Sequence, residues 1–372
     1  MKNKLHILFL NSWYPSRVSP YNGDFIQRHA EAVALKHIVT AIHVITDLEL
    51  KNNNEIIDYT LNDVRTLIGY IKPTKNPLKK IYLYFSTYLD LYKKVSEIDL
   101  VHLNVIYPAG IFALYLKWFK KKPFVISEHW SIYHEHLFAK INPFVKFTLK
   151  IIAENSKFIA PVTKNLGNSM NKTGLNGNYH PVPNVVNTNL FVPNKEPHKE
   201  FIILHASNMA DVKNVPGILN VIKKLELLSL KFTFYLVGEN VQKYDKLINN
   251  LNINQIKIVN HLPHSEFSKL INCASVLILF SKSENLPCVI LESFSCGVPV
   301  ISTNVGGIKE YFPENFGILI NSDEKQLLDA IIEIKNNFNK ASDKEMHNYV
   351  VQNFSPESIC EKFSILYNNS IL

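Results

Sequence analysis

What most constrains the fold is a rhythm that runs, breaks and restarts. In the first half, "LHILFLNS" (5–12) has the length of a strand and "DFIQRHAEAVALKH" (24–37) the periodicity of a helix. A strand "VTAIHVIT" (39–46), a long helix (77–99), a strand "LVHLNV" (100–105), a helix (110–122) and a strand "PFVISEHW" (123–130) follow. Strands alternating with helices imply parallel β-α-β units. Strands that are apolar at nearly every position suit a parallel sheet covered on both faces. The stretch 177–200 is rich in Pro and Asn and lacks helical periodicity, which marks a junction. The rhythm resumes with strands at 201–207, 232–239, 256–260, 275–281 and 298–304, separated by helical stretches such as 214–229. A chain of 372 residues also exceeds what one ordinary core supports. The expectation is an α/β protein with two doubly wound, Rossmann-like domains facing each other across a cleft. The first covers 1–180 and the second 181–355, and a final helix at 356–372 returns to the first. In such folds ligands sit beyond the C-terminal ends of the strands.

Charge divides the chain. Residues 1–190 carry 20 Lys and 3 Arg against 13 acidic residues, a net of +10, and residues 191–372 carry 17 basic and 19 acidic residues, a net of −2. The basic half suits an anionic partner: nucleic acid, an anionic membrane or an anionic substrate. Cys273, Cys288, Cys296 and Cys360 form no C-x-x-C pair, and the expectation is buried reduced thiols in a cytoplasmic protein. The N-terminal run is too short for a leader and ends in Asn-Ser-Trp, so it is read as a first buried strand. No stretch reaches the roughly 18 apolar residues of a membrane span.

The chemistry concentrates in "SENLPCVILESFSCGVPVISTNVGG", Ser283 to Gly307. A helix beginning near Pro287 and ending before Gly297 puts Glu284 in the strand-to-helix loop and Glu292 more than a turn into the helix. A helix N-terminus offers N–H groups and a positive dipole end to a phosphate, and a carboxylate on either side accepts hydroxyl hydrogens. A sugar nucleotide has this layout. Taken singly, each feature also has an ordinary explanation: a solvated loop glutamate, a partly exposed helical one, a plain Gly-Gly turn.

Taken together, Glu284, Glu292, the run Cys296-Gly297-Val298-Pro299-Val300 and the pair Gly306-Gly307 resemble the donor-site signature of retaining glycosyltransferases of family four, the glycosyl transferases group 1 of GT-B fold. The resemblance implies that Glu284 meets sugar hydroxyls near the reacting carbon, that Glu292 meets the ribose, and that the amides of Asn285 and Leu286 line the pocket. "HASNMADVKNVPGIL" (205–219) is similar to the segment whose lysine, here Lys213, holds the donor diphosphate. The family often has arginine where this chain has Asn208, which cannot supply two charged donors. "FYLVGEN", with Gly238, resembles the next strand and turn, and "IVNHLPHSEF", with His261 and Leu262, the segment near the nucleobase. In the first half, "WYPSRVSPYNGDFIQRHAEAV" resembles the family's first loop, with Gly23 close to the phosphates, and His129 follows a strand where the family has a histidine near the transferred sugar. His102 and Asn104, at another strand end, are candidates for the acceptor side. The cluster of His129, His134 and His136 with Glu128 and Glu135 matches no zinc spacing, and the family generally works without a catalytic metal.

The implied enzyme moves a hexosyl or N-acetylhexosaminyl group from a nucleotide sugar, UDP favoured over GDP, to a glycan or lipid-linked acceptor in bacterial surface polysaccharide assembly. No cofactor is expected, because the nucleotide sugar is a substrate. Lysines and aromatic residues interleaved at 77–99 and 116–122 suit peripheral contact with an anionic membrane, at the inner face of the cell membrane, or two ordinary solvated helices. Rival readings are a non-catalytic sugar-nucleotide-binding protein, a GT-B epimerase and a nucleic-acid-binding protein. The two-glutamate stretch argues against the last of these.

Overall fold

The computed structural model describes residues 4–194 and 200–371, with the side chain of His136 outside the described set. Residues 195–199 of the expected junction also lie outside it. The chain divides into two compact units, one of residues 1–185 with 356–372 and one of residues 186–355.

The first unit holds a seven-stranded sheet. Its strands are β1 (His6–Asn11), β2 (Ile38–Thr46), β3 (Asn54–Leu61), β4 (Val64–Ile71), β5 (Leu100–Asn104), β6 (Phe124–Glu128) and β7 (Ile159–Pro161), in spatial order β3-β4-β2-β1-β5-β6-β7. All neighbours are parallel except β3 and β4. Every residue of β1 is buried, as a central strand covered on both faces requires. Ile7 lies opposite Val39 on one side and Leu100 on the other, so the sheet's switch point falls between β1 and β5. The helix expected over 77–99 stops at Lys93. Beyond it, Asp99 turns back and accepts the His6 N–H at 2.9 Å, which ties that loop to the start of β1.

The final helix, Pro356–Ile371, belongs to this unit. Ile359, Phe363 and Tyr367 share a core with Ile7, Phe9, Ile26 and Val33. Val182 and Val185 pack into the same core, which carries the first unit to residue 185 where the sequence reading stops it at 180.

The second unit holds a six-stranded, wholly parallel sheet of β8 (Ile202–Ala206), β9 (Thr233–Val237), β10 (Ile256–Val259), β11 (Val276–Leu279), β12 (Val300–Thr303) and β13 (Gly317–Ile320), in order β10-β9-β8-β11-β12-β13. Its switch point falls between β8 and β11. Ile203, Ile218, Ile222, Phe234, Ile278 and Leu327 form its core. The four cysteines are unpaired; Cys296 and Cys360 are buried, whereas Cys273 and Cys288, at the two ends of helices, are half-buried. No helix among the described residues is long and apolar enough to cross a membrane.

Candidate functional site

In the second unit the candidate residues gather beyond the C-terminal ends of β8 to β11. After β8 the chain makes a tight turn. The Asn208 Oδ1 accepts the Ala210 N–H at 3.2 Å, and Met209 is left-handed at φ 57°. Asn208 thus shapes its own exposed loop. A 3₁₀ turn, Asp211–Lys213, leads into the helix Val215–Leu227, whose first turn no side chain caps. After β11, Ser281 is buried and the chain loops to the helix Cys288–Ser295, again without a side-chain cap. The Lys282 N–H donates to the Val212 carbonyl at 2.7 Å and locks the two loops together.

That lock brings Lys213 Nζ to 2.5 Å from Glu284 Oε1, with the side chains only 17% and 10% exposed. The sequence assigns these residues separate tasks; the fold makes them a pair. Little water competes for either charge, so the pair fixes an ammonium group between two helix N-termini. Asn285 and the buried Leu286 continue the same loop, and Glu292 lies in the second turn of the following helix, 4% exposed.

Two glycines hold these loops in place. A Cβ on Gly306 would stand 1.8 Å from the Glu284 carbonyl oxygen, and one on Gly238, just past β9, 1.8 Å from that of Ser207. The sequence reading puts Gly23 close to the donor phosphates, and Gly306 and Gly238 in turns after strands. The close approach observed is to the protein's own backbone, with a Cβ on Gly23 falling 2.8 Å from the Trp13 carbonyl carbon. His261, exposed, and Leu262, half-buried, follow β10 on the same sheet edge.

In the first unit, Gly23 starts the helix Asp24–Ala34 at φ 78°. His129 follows β6, its ring 4.5 Å from that of Phe25 and 5.4 Å from that of His29. Burial pulls its pKa well below the ordinary value, with His29 and His102 adding to the effect and a hydrogen bond with Asn184 opposing it. The ring is therefore neutral at pH 7, a hydrogen-bonding group and not a cation.

Glu128, which the sequence leaves without a role, organises this corner. Its carboxyl accepts the N–H groups of Ile106, His129 and Trp130 at 3.0, 2.8 and 2.9 Å and the Tyr133 hydroxyl at 2.9 Å. Burial raises its pKa, against those four donors. An acid at the last position of an apolar strand is the signal that marks it. His102 and Asn104 do not line an acceptor surface. Both are fully buried. His102 bonds Tyr367 Oη at 2.6 Å and Ser127 Oγ at 2.7 Å, and Asn104 donates to Asn11 Oδ1 at 2.9 Å. Among the described residues, no group of three or more His, Cys, Asp or Glu side chains is placed to hold a metal ion.

Comparison with known proteins follows this division. Residues 186–353 match the family model described as glycosyl transferases group 1, and residues 30–190 match that of glycosyltransferase family 4. An uncharacterized glycosyltransferase of Methanocaldococcus jannaschii is 24% identical over 330 residues, which is 87% of this chain and 88% of the relative. Other curated relatives match over about half of this chain and less than half of their own length. Among solved structures, sucrose-phosphate synthase from Thermosynechococcus elongatus has a TM-score of 0.80 at 18% identity, over 98% of both chains. Anabaena HepE, solved with UDP and glucose, has a TM-score of 0.74 at 15% identity, over 98% of this chain and 99% of that one. At these identities the solved structures establish the fold, GT-B.

Proposed function

Because the chain belongs to glycosyltransferase family four, with a model for each half, we propose that it moves a sugar from a nucleotide-diphosphate donor to an acceptor hydroxyl with retention of anomeric configuration. The observation that carries this reading is the Lys213–Glu284 pair, set at the switch point of the second sheet beside two helix N-termini.

The acceptor hydroxyl attacks the anomeric carbon on the face from which the diphosphate departs. As the bond from that carbon to the phosphate oxygen breaks, the hydroxyl proton passes to the leaving phosphate. Negative charge builds on the diphosphate, and Lys213 with the amides around Asn285 and Leu286 meets it. Preorganised donors of this kind supply most of the rate without a protein nucleophile. Glu284 anchors the sugar hydroxyls and positions Lys213, and Glu292 receives the ribose. His129, neutral, hydrogen-bonds the sugar. His261 and Leu262 bound the nucleobase.

UDP is the favoured nucleotide; the presence of UDP in HepE supports that choice. Hexosyl and N-acetylhexosaminyl donors both fit the reading, and the nucleotide sugar is consumed as substrate with no added cofactor. The acceptor is a glycan or a lipid-linked sugar. The basic, aromatic helices of the first unit support work at an anionic membrane, in the setting of surface polysaccharide assembly on the cytoplasmic side.

The test is UDP release from UDP-glucose and UDP-N-acetylglucosamine with chelator present, for the wild-type protein and for Lys213→Ala and His129→Ala. Release and transfer that fall about 100-fold or more in Lys213→Ala support the assignment. UDP binding without release from either donor would favour a non-catalytic module. A product that keeps both sugar and nucleotide would favour an epimerase.

A further inference from the structure

A groove of about 320 Å3 lies in the first unit between the helices Pro77–Lys93 and Gly110–Lys120, and its lining is almost wholly aromatic and aliphatic. Its floor is Tyr88 and Phe112, both buried, with rings stacked at 5.3 Å. Its walls include Tyr84, Tyr107 and Ile111, and Lys80 stands at the rim, with Nζ 6.0 Å from the Tyr84 ring centre. At and beside the rim the helix Pro77–Lys93 leaves large apolar side chains in water next to the exposed Lys79 and Lys80: Ile81, which also lines the groove, Leu78 and Tyr82 are 60%, 76% and 69% exposed. A helix face that met only water would not leave three neighbouring large apolar side chains exposed.

The position of the groove matters as much as its chemistry. The Tyr88 hydroxyl donates to the carbonyl of Asn11, the last residue of β1, at 3.0 Å. Tyr107 and Pro108 come directly after β5 and its following turn. The groove therefore lies beside the C-terminal ends of β1 and β5, at the switch point of the first sheet, where ligands bind in such folds.

We infer that this groove holds the hydrocarbon chain of a lipid-linked acceptor, with the anionic head group beside Lys80 and the acceptor hydroxyl at the ends of β1 and β5. Counting about 30 Å3 for each water-sized group, the cavity takes roughly ten chain carbons from one lipid. The lysine at the rim complements an anionic head, and the aromatic walls hold a flexible chain without fixing its chemistry. That the lipid is the acceptor rests on the transferase function proposed above; the affinity of the groove for a chain does not.

The probe is decyl phosphate below its micellar concentration, titrated calorimetrically into the full-length protein beside decanol and inorganic phosphate, with UDP titrated in parallel. One molecule of decyl phosphate is expected to bind. Ile111→Trp, which fills the groove, weakens it about tenfold or more, and Lys80→Glu weakens it about fivefold while leaving decanol unchanged. UDP affinity stays the same in both variants. Ile81→Asp, at the exposed rim, takes the place of Ile111→Trp if that protein does not fold. Absence of saturable binding, binding unchanged by the groove variants, or equal competition by inorganic phosphate would overturn the proposal. Loss of UDP binding with decyl phosphate binding intact would overturn the transferase reading and leave the groove standing.

Discussion

Lys213 and Glu284 stand 2.5 Å apart and mostly out of water, so neither acts alone. A donor diphosphate reaching Lys213 must share it with a carboxylate, and removing the lysine leaves that carboxylate repelling the phosphates. Lys213→Ala is expected to cost a charge-assisted phosphate contact, about 1.5–3 kcal/mol, or roughly 10- to 100-fold in UDP affinity. Glu284→Gln is expected to keep nucleotide affinity within about threefold while turnover falls far more. The double variant should lose less affinity than the two single losses combined, by about 1 kcal/mol or more in a thermodynamic cycle. Additive losses would mean that the pair does not operate as a unit. At the other corner, Tyr133→Phe removes one of the four donors to the buried Glu128 carboxyl. It should lower unfolding free energy by about 1–3 kcal/mol in urea titrations; an unchanged midpoint would show that Glu128 does not need the hydroxyl.

Gly306 is left-handed at φ 59°, and a side chain there would meet the Glu284 carbonyl. Gly306→Ala should therefore displace the Glu284 loop and weaken UDP binding while leaving the Trp fluorescence of the first unit untouched. Wild-type UDP affinity in that variant would contradict the docking role. The central strands β1, β5, β6, β8 and β11 were legible because each is a short apolar run with a turn behind it. The helix carrying Glu292 was legible from Pro287 and Gly297. The β3–β4 hairpin was not, because β3 is a largely exposed edge strand studded with Asn, Glu and Asp, which looks like loop. Its one local signal is the Asn62-Asp63 turn, both residues at positive φ, the geometry of tight hairpins. The Lys213–Glu284 contact was hidden for a different reason: it joins residues 71 positions apart, and no local pattern records such a meeting, whereas Glu128 carried a local signal in its place at the end of an apolar strand and only its bond to the Ile106 N–H, 22 positions away, was beyond reach. His102 misled because a histidine near the end of an apolar run looks alike whether it faces a ligand or, as here in the middle of β5, Tyr367 and Ser127.

For the whole molecule, the buried histidines lead us to expect that the two units differ in their response to acid. Burial pulls His29 and His43 in the first unit, and His205 in the second, from 6.5 to about 4. Burial also lowers His37, His102 and His129, all in the first unit. Each of these rings binds its proton more weakly in the folded chain than in the unfolded one. The stability they contribute is complete above pH 6.5, is lost as pH falls through 6.5 towards 4, and then levels off, at about 3 kcal/mol for a ring shifted as far as His29. All three tryptophans, Trp13, Trp118 and Trp130, lie in the first unit. Between pH 7 and about 5, the urea midpoint from Trp fluorescence should fall further than that from amide exchange of the helix Val215–Leu227. Equal shifts would contradict this account of the histidines. The central claim, that the second unit binds a nucleoside diphosphate through the Lys213–Glu284 loop and Glu292, is tested most directly by calorimetric titration of the full chain with UDP and GDP in chelator, repeated on Lys213→Ala and Glu292→Ala. Saturable binding of UDP at one site, weakened about tenfold or more in each variant, is the predicted result. Failure of folded wild-type protein to bind either nucleotide, or unchanged affinity in both variants, would contradict it.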